Sequence, residues 1–243
     1  MNKIKEFKKQ LVDSQTIAFF GGAGVSTESG IPDFRSAEGL YLREGKRSYS
    51  AEELISYSFF KRYPKDFFEY YFKNLVFENA EPNAGHLFLK ELEDTGKDVH
   101  VITQNIDGLH QKAGSSQVYE LHGSVLRNYC TKCGRIYELD ELDLDNEGIP
   151  RCPKDQEIVR PDVVLYQESL DQDVVKSAVA AIQRADMLII AGTSLVVYPA
   201  AGLIHEFNGD HLVAINKSPI SVPSGALVFE DSISKILTEL DKF

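Results

Sequence analysis

The chain has 243 residues, 43% hydrophobic and 26% charged, an ordinary balance for a globular protein and enough to bury a large core, either as one α/β domain or as a main domain carrying a small insert. Its 26 basic against 37 acidic side chains leave a net charge of -11, which disfavours long-range attraction to nucleic acid or an anionic membrane, and no stretch approaches the ~20 apolar residues of a membrane span. The first eleven residues interleave charge with apolar side chains and lack the apolar core of a signal peptide, so a cytoplasmic protein is expected, and three cysteines close together suggest metal ligation more than a disulfide framework.

Residues 3 to 13 read as an amphipathic helix, followed by a buried strand from Thr16 to Phe20. Three glycines within four residues then break the strand at Gly21, Gly22 and Gly24, and the small hydroxylated residues after them suit a helix start. Such a turn can cradle phosphate, because glycine lets the backbone approach a pyrophosphate and free amides at a helix N-terminus point at the anion. The usual dinucleotide fingerprint has a third glycine where Thr27 stands, so the glycines alone also fit a tight turn without a ligand. Ile31-Pro-Asp-Phe-Arg35 adds a rigid turn, an aromatic ring and a guanidinium suited to covering a phosphate and a flat ring.

Residues 36 to 47 read either as a mobile lid or as a solvated loop, and the aromatic stripe of 50 to 77 as core or a packed helical insert. A helix starts at Pro82-Asn-Ala-Gly-His86, with Asn83 as its cap. The strand Asp98 to Thr103 runs into Gln104-Asn-Ile-Asp-Gly-Leu-His110, and the short strand from Val118 delivers His122-Gly-Ser124 in the same way. Polar residues at the C-terminal ends of buried strands are where open α/β sheets place ligands; a lone histidine there also fits a hydrogen-bonded core residue, and the two clusters with the glycine turn point to a shared cleft.

Cys130-Thr-Lys-Cys133 and Cys152-Pro-Lys-Asp155 have zinc-ribbon spacing with aspartate in the fourth position, so the alternatives are a Cys3Asp zinc site and a metal-free ribbon with reduced thiols. Arg160 to Tyr166 is an extended run that returns the chain to the sheet and can pair with a peptide as an added strand. A helix from 173 to 184, strands from Met187 and His211 ending in Gly192-Thr-Ser194 and Asn216, and a last helix from 232 to 241 complete the pattern. Alternating strands and helices imply a parallel sheet covered on both faces. The fold expected is α/β: a Rossmann-like domain of residues 1–35, 78–124 and 161–243, with a small module formed by a helical insert (36–77) and a cysteine ribbon (125–160).

Gly22-Ala-Gly-Val-Ser-Thr-Glu-Ser-Gly-Ile-Pro-Asp-Phe-Arg35, Thr103 to His110, Leu121-His-Gly123, the cysteine pairs, Arg160-Pro-Asp-Val-Val164, Gly192-Thr-Ser194 and Ile215-Asn216 resemble, in order, the motifs of the sirtuins, NAD-dependent protein deacylases. The resemblance spans nearly the whole chain. It implies cleavage of the nicotinamide–ribose bond of NAD as co-substrate, attack by the acyl oxygen of an acylated lysine, and transfer of the acyl group to the sugar. His122 would be the general base, and Asn105 and Asp107 would hold water and the nicotinamide carboxamide. Ile106 would pack on the nicotinamide ring and Gln104 would bind ribose. Ala23, Thr27, Arg35, Thr193 and Ser194 would line the phosphate and ribose path, Phe34 would shield the sugar, and Asn216 with Asp231 to Ile233 would hold adenosine. Val163 and Val164, with Val197 across the cleft, would bind the peptide.

Cys130, Cys133, Cys152 and Asp155 would hold zinc, with Asp155 replacing the family's fourth cysteine and Gln156-Glu157 following where glycines are common. Tyr166-Gln-Glu168 stands where many members have Phe-Gly-Glu. Tyr70-Tyr-Phe-Lys73 carries no Tyr-x-x-Arg pair of the kind that clamps acidic acyl groups, which favours acetyl or other neutral acyl substrates. The expected partners are acylated lysine-bearing proteins, with no nucleic acid or membrane, and the chain is expected to be a monomer. Alternatives are protein mono-ADP-ribosyltransfer and a module that binds NAD or acyl-lysine without turnover.

Overall fold

A computed structural model of the chain describes residues 2–33 and 49–241, and the apolar runs of the sequence become its central sheet. Strands β1 (Thr16–Gly21), β2 (Asp98–Thr103), β3 (Val118–Glu120), β7 (Met187–Ala191), β8 (His211–Ile215) and β9 (Leu227–Phe229) lie in the order β3-β2-β1-β7-β8-β9, every adjacent pair parallel. The stretch 36–47, together with Phe34 and Arg35, lies outside the described residues.

Because the sheet is covered on both faces, successive side chains of β1 enter two different cores. Ile17 and Phe19 pack with α1 (Lys3–Asp13), α5 (Ala84–Asp94) and α8 (Ile233–Asp241), through residues such as Phe7, Leu89 and Ile236. Ala18 and Phe20 pack with Ala178, Ala181 and Ile182 of α7 (Gln172–Arg184) and with the 3-10 segment Ala200–Glu206. Asn83 caps its helix as the sequence suggests, accepting from the Gly85 amide, and the structure adds Asp171, which accepts from Asp173 and Val174.

The chain moves outward from β1 through β2 to β3, then returns to the other side of β1 as β7. The strand order therefore reverses between β1 and β7, which opens a crevice at their C-terminal ends. The register puts Gly21 level with Thr103 and Ala191, and Ala191 level with Ile215, so the polar residues that follow these strands share one edge.

The segment after Gly22 differs from the helix start that its residues suggest. It forms two single 3-10 turns, Ala23–Val25 and Thr27–Ser29, ended by Gly30 at φ 83°. The Gly22 and Gly24 amides are already taken by the Ala191 and Gly192 carbonyls at 3.1 and 2.8 Å, and the Asn83 side-chain amide captures the Val25 carbonyl at 2.8 Å. The segment holds no continuous helix, and the Gly22 and Gly24 amides are already used within the protein, so the helix-dipole argument does not apply here.

A second, antiparallel sheet is formed by β4 (Gly123–Cys130), β5 (Ile136–Glu138) and β6 (Val159–Val163), in the order β5-β4-β6. The run Arg160 to Tyr166, which reads as a return to the main sheet, is instead the edge of this one, opposite Gly123 to Cys130. Pro161 lacks an amide proton, and an edge position tolerates that loss. Helices α2 (Ala51–Leu54), α3 (Tyr57–Arg62) and α4 (Pro64–Asn74) pack Phe60, Phe67, Phe68 and Tyr71 against Val125, Ile149, Val163 and Leu165. The aromatic stripe is thus core, shared with the small sheet. No helix among the described residues is long and apolar enough to cross a membrane.

Candidate active site

The C-terminal edge of the main sheet gathers most of the singled-out residues. Ala23 and Thr27 follow β1, Gln104 to Asp107 follow β2, His122 follows β3, Thr193 and Ser194 follow β7, Asn216 follows β8, and Asp231 and Ile233 follow β9. Val163 lies on β6, with Val164 just beyond it, and Val197 lies in the segment after β7.

Two glycine turns meet at the switch point. A Cβ on Gly24 would stand 2.7 Å from the Gly192 Cα, and one on Gly22 would stand 2.8 Å from the Gly192 carbonyl oxygen. The turns interlock backbone to backbone, and only glycine permits that approach. Thr27 locks the first turn by donating its hydroxyl to the Gly24 carbonyl at 3.0 Å.

Gln104 spans the cleft. Its side-chain amide donates to Thr193 Oγ1 at 3.1 Å, its backbone amide donates to the Gly21 carbonyl at 2.9 Å, and its carbonyl accepts from His122 Nδ1 at 2.9 Å. A carbonyl only accepts, so Nδ1 carries the proton and the other nitrogen, Nε2, keeps its lone pair. Burial lowers the His122 pKa below its ordinary value of 6.5, against the carbonyl contact, which raises it. The ring is therefore a neutral base near pH 7.

A second network lies beneath. Ser26, fully buried, donates to Asp107 Oδ2 at 2.7 Å and accepts from Asn105 Nδ2 at 3.0 Å. The Asn83 amide donates to His86 Nδ1 at 3.2 Å, so His86 Nε2 bears the proton that faces Ser26 Oγ at 3.5 Å. These constraints fix every donor and acceptor, and they turn the Asn105 amide nitrogen inward and its oxygen away from Ser26. Burial holds the His86 pKa down to about 4, although Asp107 pulls it up. The His110 ring packs against that of His86, tilted by 59° with centroids 4.6 Å apart, and neither of its nitrogens has a hydrogen-bond partner among the described residues.

Ser26, His86 and His110 were not among the residues singled out for the site, although Ser26 and His110 fall within the quoted motifs and His86 within a helix cap. A histidine three residues after a capping asparagine is the signal that could have drawn attention to His86.

A bulge in β4 ties the small sheet to this cleft. Between Ser124, opposite Asp162, and Asn128, opposite Pro161, β4 inserts extra residues. From that bulge the Val125 amide donates to the Ile106 carbonyl at 2.9 Å, and Leu126 crowds Gly108, where a Cβ would lie 2.6 Å from its Cδ1. At the other end of the cleft, Asn216 donates from Nδ2 to the Ser218 carbonyl at 2.8 Å, and the Asp231 carboxylate is paired with Lys235. Ile233 is buried in the main core, which leaves its backbone as the part available to a ligand.

Cys130, Cys133, Cys152 and Asp155 place their ligand atoms within 4.8 Å of one another. Cys133 Sγ lies 3.8 Å from Cys152 Sγ, and Cys130 Sγ 3.4 Å from Asp155 Oδ1. A tetrahedral zinc with Zn–S of about 2.3 Å and Zn–O of about 2.0 Å sets its ligands about 3.8 and 3.5 Å apart, so the donor set fits the ion. Tyr137 donates its hydroxyl to Cys152 Sγ at 3.2 Å and lowers the thiol pKa, as a zinc thiolate requires. Four protein ligands leave no open position, and Cys130 ends a strand that starts roughly 20 Å away beside His122, so a metal here supports the ribbon and takes no part in cleft chemistry. Purified protein is expected to carry stoichiometric zinc by atomic emission. Cys130→Ser is expected to lose it and to melt roughly 5–10 °C lower. A metal-free parent, or a variant that keeps its zinc, would remove the site.

The Sir2 family model matches residues 22–199 of the chain. An NAD-dependent protein deacetylase of Clostridium perfringens (strain 13 / Type A) is 54% identical over 97% of each chain. One from Clostridium acetobutylicum is 52% identical over 98% of this chain and 97% of its own. Among solved structures, a Sir2 with a deacetylated p53 peptide and 3'-O-acetyl ADP-ribose superposes with a TM-score of 0.87 at 33% identity, covering 98% of both chains. A Sir2 bound to an acetylated peptide gives 0.82 at 32% identity, covering 98% of this chain and 96% of the other.

Proposed function

The chain belongs to the Sir2 family, and we propose on that premise how its residues divide the work of NAD-dependent lysine deacylation. The protein is an NAD-dependent protein-lysine deacetylase. Acetyl-lysine, NAD and water become lysine, nicotinamide and O-acetyl-ADP-ribose, and NAD supplies the sugar carbon whose bond to nicotinamide breaks.

The observation that carries the assignment of roles is the tautomer of His122. With Nδ1–H held by the Gln104 carbonyl, Nε2 is the free base at the end of β3, suited to take a proton from a ribose hydroxyl. Gln104 and Thr193 position the ribose, while Ala23, Thr27 and Ser194 line the phosphate path. Asn105 and Asp107 hold water and the nicotinamide carboxamide, oriented through Ser26, and Ile106 faces the ring. Asn216 and the backbone of Asp231 to Ile233 receive adenosine. Phe34 and Arg35 cover the cofactor in this reading.

The acyl-lysine peptide lies along Val163 and Val164, with Val197 opposite, at the edge of β6 that pairs with no other strand among the described residues. Tyr70 and Tyr71 are buried in the aromatic core, which agrees with acetyl and other neutral acyl groups as substrates. We read residues 1–35, 78–124 and 161–243 as the NAD-binding unit and 36–77 with 125–160 as the small module, with Gly123 and Ser124 of β4 and residues 161–163 of β6 carried over into the small module's sheet. We also read the protein as a cytoplasmic monomer that acts on acylated proteins, without nucleic-acid or membrane partners.

The test is turnover with NAD and a panel of acetylated, propionylated and succinylated lysine peptides, followed by nicotinamide release and peptide mass. Release that requires the acetylated or propionylated peptide, with loss of the acyl mass, is the expected result. Nicotinamide release with ADP-ribose retained on protein would point to transfer instead, and NAD binding without release to a non-catalytic module.

A further inference from the structure

Arg160 is a cation enclosed in the small module, with its side chain 7% exposed. Nη1 and Nη2 donate to the two Glu168 oxygens at 2.7 and 2.8 Å, Nη2 also donates to the Val163 carbonyl at 2.9 Å, and Nε donates to the Pro161 carbonyl at 3.3 Å. Its guanidinium carbon lies 5.3 Å from the Phe60 ring centre of α3 and 5.6 Å from that of Tyr129 of β4. Glu168 also accepts the Leu165 amide at 2.9 Å and returns its own amide to the Leu165 carbonyl at 3.0 Å.

The turn between Leu165 and Glu168 is held from its other side too. Tyr166 exchanges backbone hydrogen bonds with Ile55 and Tyr57. Gln167 sits at φ 78°, a left-handed conformation that a side chain disfavours, and its Oε1 accepts the Ser58 amide at 3.0 Å. A glutamine here costs backbone strain and in return pins the turn to the helical insert.

An ion pair desolvated to this degree is a poor source of stability, because the desolvation penalty offsets most of the Coulomb attraction. What a planar, bidentate fork supplies is fixed geometry. We propose that Arg160 and Glu168 are positioning residues for the substrate: they hold the backbone from Val163 to Leu165 in the extended shape that an acyl-lysine peptide joins as a strand. They set affinity for the residues that flank the acyl-lysine and touch neither NAD nor the reacting atoms. The inference rests on the reading of Val163 and Val164 as the peptide strand.

Glu168→Gln and Arg160→Lys test it, assayed with an acetylated peptide carrying several flanking residues and with isolated acetyl-lysine amide, each protein also being melted. In Glu168→Gln the peptide KM is expected to rise about tenfold, with kcat and the NAD KM within about twofold and kcat/KM for isolated acetyl-lysine unchanged. Arg160→Lys follows in the same direction. Gln167→Gly, which frees the turn without exposing a buried charge, raises the peptide KM about threefold and keeps the test open if Arg160→Lys fails to fold. An unchanged peptide KM in folded Glu168→Gln, or an equal loss on both substrates or on NAD, overturns the proposal. If the unaltered enzyme shows no preference for the flanked peptide over isolated acetyl-lysine, the peptide-strand reading itself fails, and the proposal with it.

Discussion

His122→Ala is expected to lower kcat/KM for an acetylated peptide by about 10²–10⁴-fold, the range for removal of a general base, while NAD binding measured by calorimetry stays within a few-fold. The large effect follows from the geometry. The Gln104 carbonyl holds the ring by Nδ1 and leaves the Nε2 lone pair free for the proposed proton transfer, and alanine removes it while Gln104 keeps its contacts to Thr193 and Gly21. The pH profile carries the same signature. His122 is active when neutral, and burial lowers its pKa, so the acid limb of kcat/KM falls below the ordinary histidine value of 6.5.

His86 titrates too, but its protonation is read as stability. Its folded pKa is depressed to about 4, so the unfolded chain binds the extra proton first, and stability present above pH 6.5 is lost as pH falls toward 4. Assaying at temperatures below the Tm measured at each pH separates the two effects: an activity loss in protein that is still folded belongs to His122. Equal rates in His122→Ala and the unaltered enzyme would show that the base is elsewhere.

Gly192→Ala is expected to cost about 2–5 kcal/mol, a Tm lower by roughly 4–20 °C, together with at least a tenfold loss in NAD affinity. Gly192 has φ 58°, and a Cβ there would lie 2.4 Å from the Val25 amide nitrogen and 2.6 Å from the Gly24 carbonyl carbon. Both are backbone atoms of the interlocked turn, so no side chain can swing aside, and relief requires the two turns to part at the switch point. Gly96→Ala is the control: φ is 91°, yet nothing lies within 4 Å, so only the left-handed cost of about 1–2 kcal/mol is expected. If the two variants melted alike, the close approach would carry no weight.

Most of the architecture was legible because period and punctuation are local. Apolar runs such as Met187 to Ala191, with polar residues just beyond, read directly as buried strands with functional ends, and Asn83 announced its helix. The cysteine spacing likewise announced a ribbon, and the structure brings Asp155 into its ligand group. Reading failed where distant groups took over the backbone. The glycine turn closes as two 3-10 turns, with its Gly22 and Gly24 amides on Ala191 and Gly192 and its Val25 carbonyl on Asn83, and β6 lies in the small sheet because Gly123 to Cys130 offers it a partner.

The sequence by itself determined the alternation of strands and helices, the identity of the motifs and the family they belong to, since each is written in consecutive residues. Only the tertiary structure decided which nitrogen of His122 carries the proton, how Ser26 and His86 orient Asn105 and Asp107, and that Arg160 closes on Glu168 between two aromatic rings. The physical reason is the same in each case. A donor's direction, a tautomer or a buried charge is fixed by groups that meet only when β1, β2, β3, β6 and β7 bring remote segments together, and periodicity carries no information about those partners.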